Sequence, residues 1–241
     1  MNEYLTGSNL PENYLAFLRG MIINERLEPE IVHTYINFLH RKDFLENIIQ
    51  EYLEQLNKFS TKPEQAKHKE VRQGWQILSA FFSQKYVLQR RGVVPLVYGS
   101  LLYDDPRNLD FDVMLVGINQ DNIIAELSNQ WYYELIQLWL NDREGDLPYL
   151  TFDNIQKYIQ LLQYSKNPKQ IFHQARDIDL TFGRLSRVLN GTPLYSKDES
   201  LLLNYRGNAW LLIQQEPLLA ALVAYELAET LLIRKQRRNL R

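Results

Sequence analysis

The sequence predicts an α+β fold in which helices precede and follow a small sheet. Three observations lead to this prediction. Apolar side chains recur at helical spacing through residues 1–91. The period changes at Gly92, where residues 93–98 form a short apolar run between glycines and residues 109–117 alternate apolar and polar side chains. Helical spacing then returns, so we divide the chain into a helical N-terminal region (1–91), a sheet-containing core (92–200) and a helical C-terminal region (201–241).

Four helices are predicted before the sheet, each from apolar residues that recur along one helix face. Pro29 suits the first turn of the second helix, and residues 60–64 form a turn with a plausible cap before the fourth. The defining positions are Tyr14, Leu15, Leu18 and Ile22, then Ile31, Tyr35, Phe38 and Leu39, then Phe44, Ile48, Tyr52 and Leu56, and finally Trp75, Leu78, Phe82 and Leu88.

The core is predicted to hold three strands and several helices. The first two strands are residues 93–98 and 109–117, and residues 177–182 supply a third because they alternate polar and apolar side chains. Helices are predicted over 120–140 and 152–164, with a short helix and a turn at Asn190-Gly191 after the third strand. The chain then ends in helices over 209–236, with a break near Pro217.

Composition excludes several kinds of site and partner. The chain has no cysteine, which excludes disulfides, thiolate zinc sites and a cysteine nucleophile. Its 27 basic and 29 acidic residues give a formal charge of −2, so no whole-molecule field attracts nucleic acid or anionic lipid. The N-terminus lacks a signal-peptide pattern, and no apolar run approaches the roughly 20 residues that span a bilayer. We therefore expect a cytoplasmic protein with no membrane partner.

Two aspartates on the second predicted strand are candidates for metal binding. Alternate side chains of a strand share a face, so Asp110 and Asp112 project side by side, opposite Phe111 and Val113. Like charges this close repel each other unless a cation neutralises them, and carboxylate oxygens suit Mg²⁺. Because Mg²⁺ takes one or two carboxylates together with substrate phosphates, the pair points to a nucleoside triphosphate as ligand.

Gly99 and Ser100 follow the first predicted strand, where a short helix is expected to begin. Glycine has no Cβ to block an approaching phosphate, and the serine hydroxyl can donate a further hydrogen bond. A third acid is required to hold a second metal ion or to accept the proton of an attacking hydroxyl. Asp177 and Asp179 are both candidates; we favour Asp179, and the sequence alone leaves the choice open.

The order of these residues resembles the polymerase beta-like nucleotidyltransferase superfamily, of the small bacterial type. Its members share an apolar strand, a Gly-Ser pair, two aspartates one residue apart on the next strand, and a third acid on a later strand. The likeness covers roughly residues 93–197. Carried over, Gly99 and Ser100 match the phosphate-binding pair, Asp110 and Asp112 match the metal pair, and Asp179 best matches the third acid.

The resemblance implies a nucleotidyltransferase-like mixed sheet flanked by helices, with a helical N-terminal extension and a helical C-terminus. It also implies transfer of a nucleoside monophosphate from a nucleoside triphosphate to a hydroxyl or phosphate acceptor. ATP is the favoured nucleoside triphosphate, and the aspartates would hold Mg²⁺ or Mn²⁺. The acceptor is left open between a protein side chain, an RNA end and a small molecule. Relatives often carry an Ala-Arg-Gly run after the serine; here the sequence is Leu102-Tyr103-Asp104, so Arg107 is the candidate replacement.

The same residues allow two other interpretations of the function. The fold could serve as a catalytically inactive module that binds a nucleotide or a protein, or the acidic pairs could be solvated faces of a helical scaffold. A basic C-terminal segment, defined by Arg234, Lys235, Arg237, Arg238 and Arg241, could hold RNA phosphates. We favour the simpler interpretation of that segment, a solvated helix end whose cations suit the helix dipole.

Overall fold

The structure, a computed structural model, describes residues 5, 9–85, 88, 90–107, 112–118, 134 and 148–239 of the chain. Within these residues it is α+β, with a four-stranded mixed sheet flanked by helices. The predicted fold class and the helices on either side of the sheet are therefore confirmed. The helix predicted over 120–140 lies outside the described residues, apart from residue 134.

The helices before the sheet follow the apolar spacing of the sequence. They are α1 (Glu12–Ile23), α2 (Pro29–His40), α3 (Leu45–Phe59) and α4 (Lys69–Ser83). After the sheet come α5 (Phe152–Tyr164), α6 (Pro168–Asn190), α7 (Glu199–Gln215) and α8 (Pro217–Asn239). The predicted break near Pro217 is confirmed, since α7 ends at Gln215 and α8 begins at Pro217. No helix of the described part is long and apolar enough to cross a membrane.

The sheet consists of β1 (Val94–Val97), β2 (Val113–Gly117), β3 (Tyr149–Thr151) and β4 (Thr192–Pro193), in the order β3-β2-β1-β4. β1 pairs antiparallel with β2 and with β4, whereas β2 and β3 are parallel. Every residue of β1 and β2 is buried, because the sheet carries apolar layers on both faces.

The prediction of a third strand over residues 177–182 is wrong, because these residues lie in the middle of α6. The other two strands of the sheet are β3, which pairs with β2, and β4, which pairs with β1. The local alternation is overridden by a longer helical pattern, in which Ile171, Ala175, Ile178, Phe182 and Leu185 are buried at spacings of three and four.

Two apolar clusters lie on opposite sides of the sheet. Leu96 and Met114 belong to the larger one, which joins α1, α2 and α3 to α6, α7 and α8. Val97 and Val113, one residue along each strand, belong to the smaller one, which contains Trp75 of α4. The larger core thus contains residues from all three regions of the predicted division, and that division stays a prediction.

α1 and α6 pack closely through a glycine, and this contact gives a first testable prediction. A Cβ on Gly20 would lie 2.5 Å from the carbonyl oxygen of Phe172 and 2.6 Å from Cβ of Ala175. We expect Gly20→Ala to lower the free energy of unfolding by about 2 kcal/mol, because backbone on α6 has to move. Gly207→Ala is the matched control. The space around Gly207 in α7 is open, so this substitution should raise the free energy of unfolding by about 0.5–1 kcal/mol. Urea unfolding of both variants measures the difference, and equal changes in stability would contradict the packing argument.

Candidate active site

The turn after β1 brings the Gly-Ser pair against Asp112. The backbone N–H of Tyr98 donates to the carbonyl oxygen of Asp112 (2.9 Å), which extends the β1–β2 pairing by one residue. The backbone N–H of Ser100 donates to Oδ2 of the Asp112 side chain (3.2 Å). Ser100 is buried and Asp112 is half-buried. The structure thus joins three of the predicted site residues, Gly99, Ser100 and Asp112, in one contact.

Gly99 is required at this position for two reasons. Its φ of +69° is in the left-handed region, where a Cβ is unfavourable. In addition, a Cβ at Gly99 would overlap the Asp112 carboxylate, because Oδ2 occupies the space that this atom would take. The glycine is therefore the feature that lets the carboxylate lie directly over the turn.

The remaining member of the predicted metal pair, Asp110, lies outside the described residues. Among the residues that the structure describes, no group of three acidic, histidine or cysteine side chains is arranged to hold a metal ion. Asp112 is the described carboxylate of the predicted pair, and its oxygens are of the kind that Mg²⁺ prefers.

Two further aspartates follow the turn and have structural partners. Asp104 adopts a left-handed conformation (φ +53°), and its buried carboxylate accepts hydrogen bonds from the backbone N–H groups of Lys67 (3.0 Å) and His68 (3.2 Å), just before α4. Asp105 accepts two hydrogen bonds from the Arg107 guanidinium, at 2.9 and 3.0 Å. Arg107, the candidate replacement for the phosphate-binding arginine, is thus bound to a neighbouring carboxylate.

The predicted third acid, Asp179, lies on α6 rather than on a strand, so the pattern that selected it is wrong. Its buried Oδ2 accepts a hydrogen bond from Nη1 of Arg26 at 2.8 Å. Burial raises the pKa of Asp179 to about 6, against the lowering effect of the Arg26 charge. The alternative acid, Asp177, is exposed on the same helix. The ion pair with Arg26 accounts for the burial of Asp179 without a catalytic role.

Asp179 is part of a polar layer between α6 and α8. Glu226 of α8 packs over Gly183, one turn after Asp179, where its carboxylate would lie 3.5 Å from a Cβ. Burial, followed by the negative charges of Asp179 and Glu229, raises the pKa of Glu226 to about 7, while Arg187 and Arg26 lower it. Two carboxyl groups with raised proton affinity therefore adjoin each other within the helical layer.

Arg187 connects this layer to the candidate site. It lies two turns after Asp179 on α6, and its Nη1 donates to the hydroxyl of Tyr98 at 3.2 Å. Its guanidinium also lies 4.4 Å from the centroid of the Tyr98 ring, a cation–π contact. Because Tyr98 directly precedes Gly99, α6 supports the turn through this contact.

Sequence reasoning missed Arg26, Arg187 and Glu226. Arg187 could have been found, because Asp179, Gly183 and Arg187 recur every four residues along α6 and so share one helix face. Arg26 and Glu226 are far from Asp179 in sequence, and no local pattern relates them to it.

No protein-family model, no curated protein and no solved structure matches this chain. Only the residues of the chain and their geometry therefore bear on its function.

Proposed function

We propose that this protein is a metal-dependent nucleotidyltransferase of the polymerase beta-like type. It transfers a nucleoside monophosphate from a nucleoside triphosphate to a hydroxyl or phosphate acceptor and releases pyrophosphate. ATP is the favoured nucleoside triphosphate. The acceptor oxygen forms a bond to the α-phosphorus, the bond from that phosphorus to the bridging oxygen breaks, and that oxygen leaves with the pyrophosphate. A hydroxyl acceptor releases its proton to solvent in the same step.

The observation that supports this proposal is the contact of Asp112 with Gly99 and Ser100. It joins the two halves of a motif that are twelve residues apart in the sequence, on a β1–β2 hairpin whose second strand has a parallel neighbour. Glycine lets the Asp112 carboxylate lie against the backbone N–H of Ser100, so a carboxylate of the kind that Mg²⁺ prefers adjoins the turn where the motif expects a phosphate.

In this proposal Asp110 and Asp112 hold Mg²⁺ or Mn²⁺, which would neutralise the charge of the triphosphate and stabilise the leaving pyrophosphate. Gly99 and Ser100 lie beside the phosphates, and the rate enhancement comes from positioning and charge neutralisation. The proposal does not use Asp179, whose carboxylate is bound to Arg26.

Variants at Asp112 and Asp110 test the proposal. Purified protein is incubated with each α-labelled nucleoside triphosphate, Mg²⁺ or Mn²⁺, and candidate acceptors. We expect Asp112→Asn and Asp110→Asn to slow label transfer and pyrophosphate release by about a thousandfold or more, since a metal ligand supplies several kcal/mol. Asp43→Asn, at an exposed position before α3, is the matched control and should keep the wild-type rate. Equal pyrophosphate release by all four proteins would overturn the proposal.

Variants of two further acids are tested in the same assay as candidates for the third acid, in place of Asp179. Glu144 and Asp146 precede β3 in the sequence as Asp112 precedes β2, and β2 and β3 are parallel neighbours. Both lie outside the described residues, so they are chosen for their place in the sequence. Loss of activity in one of their amide variants, with triphosphate binding kept, would identify the third acid.

A non-catalytic binding module is the second candidate function. It is favoured by the ion pair of Asp179 with Arg26, which gives the predicted third acid a partner other than a metal ion. The module predicts metal-dependent triphosphate binding that Asp112→Asn abolishes, without pyrophosphate release by the wild type. The assay above therefore separates the two functions.

A further inference from the structure

A cavity lined by cations lies between the end of α3, the 3-10 turn Gly99–Tyr103 and the last turns of α8. Its volume is about 170 Å³. No carboxylate lines the described part of it. The polar lining consists of three basic side chains, two hydroxyl side chains and one tyrosine, namely Lys58, Arg234, Arg237, Ser60, Thr61 and Tyr103.

Arg234 forms the buried wall of this cavity. The sequence predicts a solvated helix end for the basic C-terminal segment to which Arg234 belongs. The residue is only 2 % exposed, so the interpretation of a solvated helix end is wrong for it. Its Nη1 donates to the carbonyl oxygen of Leu56 (2.9 Å) and to the hydroxyl oxygen of Ser60 (3.1 Å), at the C-terminal end of α3. A cation is favourable there because the carbonyl groups of a helix end carry partial negative charge.

Capping of α3 explains one nitrogen of Arg234 and leaves two unexplained. Nε and Nη2 are buried and donate no hydrogen bond to any described residue. The ion pairs of the described residues do not include Arg234. A buried donor without an acceptor is unfavourable and a buried charge is normally paired, so within the described residues the Arg234 guanidinium has no anionic acceptor.

Arg237 brings a second guanidinium to the same place. The guanidinium carbons of Arg234 and Arg237 lie 4.5 and 5.7 Å from the centroid of the Tyr103 ring, so one aromatic ring orients both. The nearby anion Asp105 is already held by Arg107, whose hydrogen bonds, with a weaker contribution from the Arg237 charge, lower the pKa of Asp105.

We propose that this cavity binds a phosphoryl group, either free phosphate or the head of a phosphate monoester. Two guanidinium groups and a lysine suit a dianion with several oxygens, and guanidinium binds phosphate oxygens in a bidentate manner. At about 30 Å³ for each water molecule, the cavity has room for roughly five or six, which suits a group of five heavy atoms. A larger ligand extends outward from the head group. The proposal is independent of the nucleotidyltransferase assignment, because its phosphate-binding side chains are Lys58, Arg234 and Arg237 and none of them belongs to the motif of Gly99, Ser100 and the two aspartates.

Calorimetric titration with inorganic phosphate tests the site, in EDTA and at an ionic strength matched with chloride. EDTA suppresses metal-dependent binding elsewhere on the chain. We expect saturable binding by the wild type, and Arg237→Gln should weaken it by about tenfold or more. Lys58→Gln should weaken it by a smaller factor because Lys58 is exposed. Lys235→Gln removes the same charge from an exposed position on α8 outside the cavity lining, and it should leave the affinity unchanged.

Ribose 5-phosphate and ribose distinguish the source of the phosphoryl group. Binding of ribose 5-phosphate at least as tight as that of phosphate supports a monoester as ligand, whereas binding of phosphate alone supports the free ion. Arg234→Lys is included with a thermal-unfolding check, and Arg237→Gln carries the test if Arg234→Lys does not fold. The proposal is overturned by wild-type protein that does not bind phosphate at matched ionic strength, by equal loss in Lys235→Gln and Arg237→Gln, or by binding of ribose alone.

Discussion

Gly99→Ala is expected to destabilise the protein by about 3 kcal/mol or more and to disrupt the turn after β1. The left-handed backbone at Gly99 alone costs an alanine about 1–2 kcal/mol. The added Cβ would also overlap the Asp112 carboxylate, so the carboxylate must leave its position and lose the hydrogen bond from the Ser100 N–H. Chemical unfolding measures the loss of stability.

Gly92→Ala separates the two contributions. Gly92 has nearly the same backbone angle (φ +65°), but the nearest atom to its Cβ position is the Tyr205 hydroxyl oxygen at 3.4 Å. We therefore expect only the backbone cost at Gly92, about 1–2 kcal/mol. If Gly99→Ala and Gly92→Ala lose the same stability, the carboxylate does not occupy the space above Gly99. If the proposed function holds, Gly99→Ala also loses metal-dependent triphosphate binding and Gly92→Ala retains it.

Arg26→Gln is expected to lower the free energy of unfolding by about 2–3 kcal/mol at pH 7.5. The substitution leaves the carboxylate of Asp179 buried next to Glu226 with no cation in contact. The effect is smaller than for a fully buried pair because 33 % of the Arg26 side chain is exposed. Asp179→Asn is the matched control: it removes the buried charge instead, and we expect it to cost about 1 kcal/mol or less.

The loss should depend on pH in a defined direction. Asp179 has a folded-state pKa of about 6, above its ordinary value of 3.8, so the folded chain binds this proton more tightly than the unfolded chain does. Stability therefore falls as the pH rises from about 4 through 6. Without Arg26 the pKa rises further, so the variant keeps losing stability above pH 6 while the contribution of this group levels off in the wild type.

Unfolding titrations in urea at pH 5 and pH 7.5 measure this difference. Near pH 5 the carboxyl group is largely protonated in both folded proteins, and the gap between wild type and Arg26→Gln should shrink to about 1 kcal/mol. A gap that is the same at both pH values, or equal losses in Arg26→Gln and Asp179→Asn at pH 7.5, would show that the ion pair does not stabilise the fold in this way.

The predictable parts of the fold are those with long or distinctive patterns. The helices before the sheet and α5 follow from apolar spacing over ten or more residues, whereas β1 follows from an apolar run between glycines and β2 from the alternation over residues 109–117. β3 and β4 have three and two residues, which is too short for an alternating pattern to stand out. Residues 177–182 alternate like a strand, but together with the neighbouring turns their buried side chains fit one face of a helix.

The predictable part of the site is the one encoded by neighbours in sequence. Gly99, Ser100 and Asp112 lie on one hairpin, so their spacing in the sequence predicts that they are in contact. Arg26 and Asp179 are 153 residues apart, and Arg234 and Leu56 are 178 residues apart. Such pairs are created by the packing of whole helices, and a single sequence holds no periodic signal that joins them.

α6 has a consequence for how the chain can be shortened. Its 23 residues form a rod about 35 Å long, packed on α1 through Ala175 and placed beside Tyr98 through Arg187. A gene truncated to begin at codon 92 would remove α1 and α3, two of the helices that pack on α6, and would expose part of its apolar face to water. We expect such a fragment to be recovered from inclusion bodies and to be cut quickly by proteases, because it lacks helices that cover the larger core.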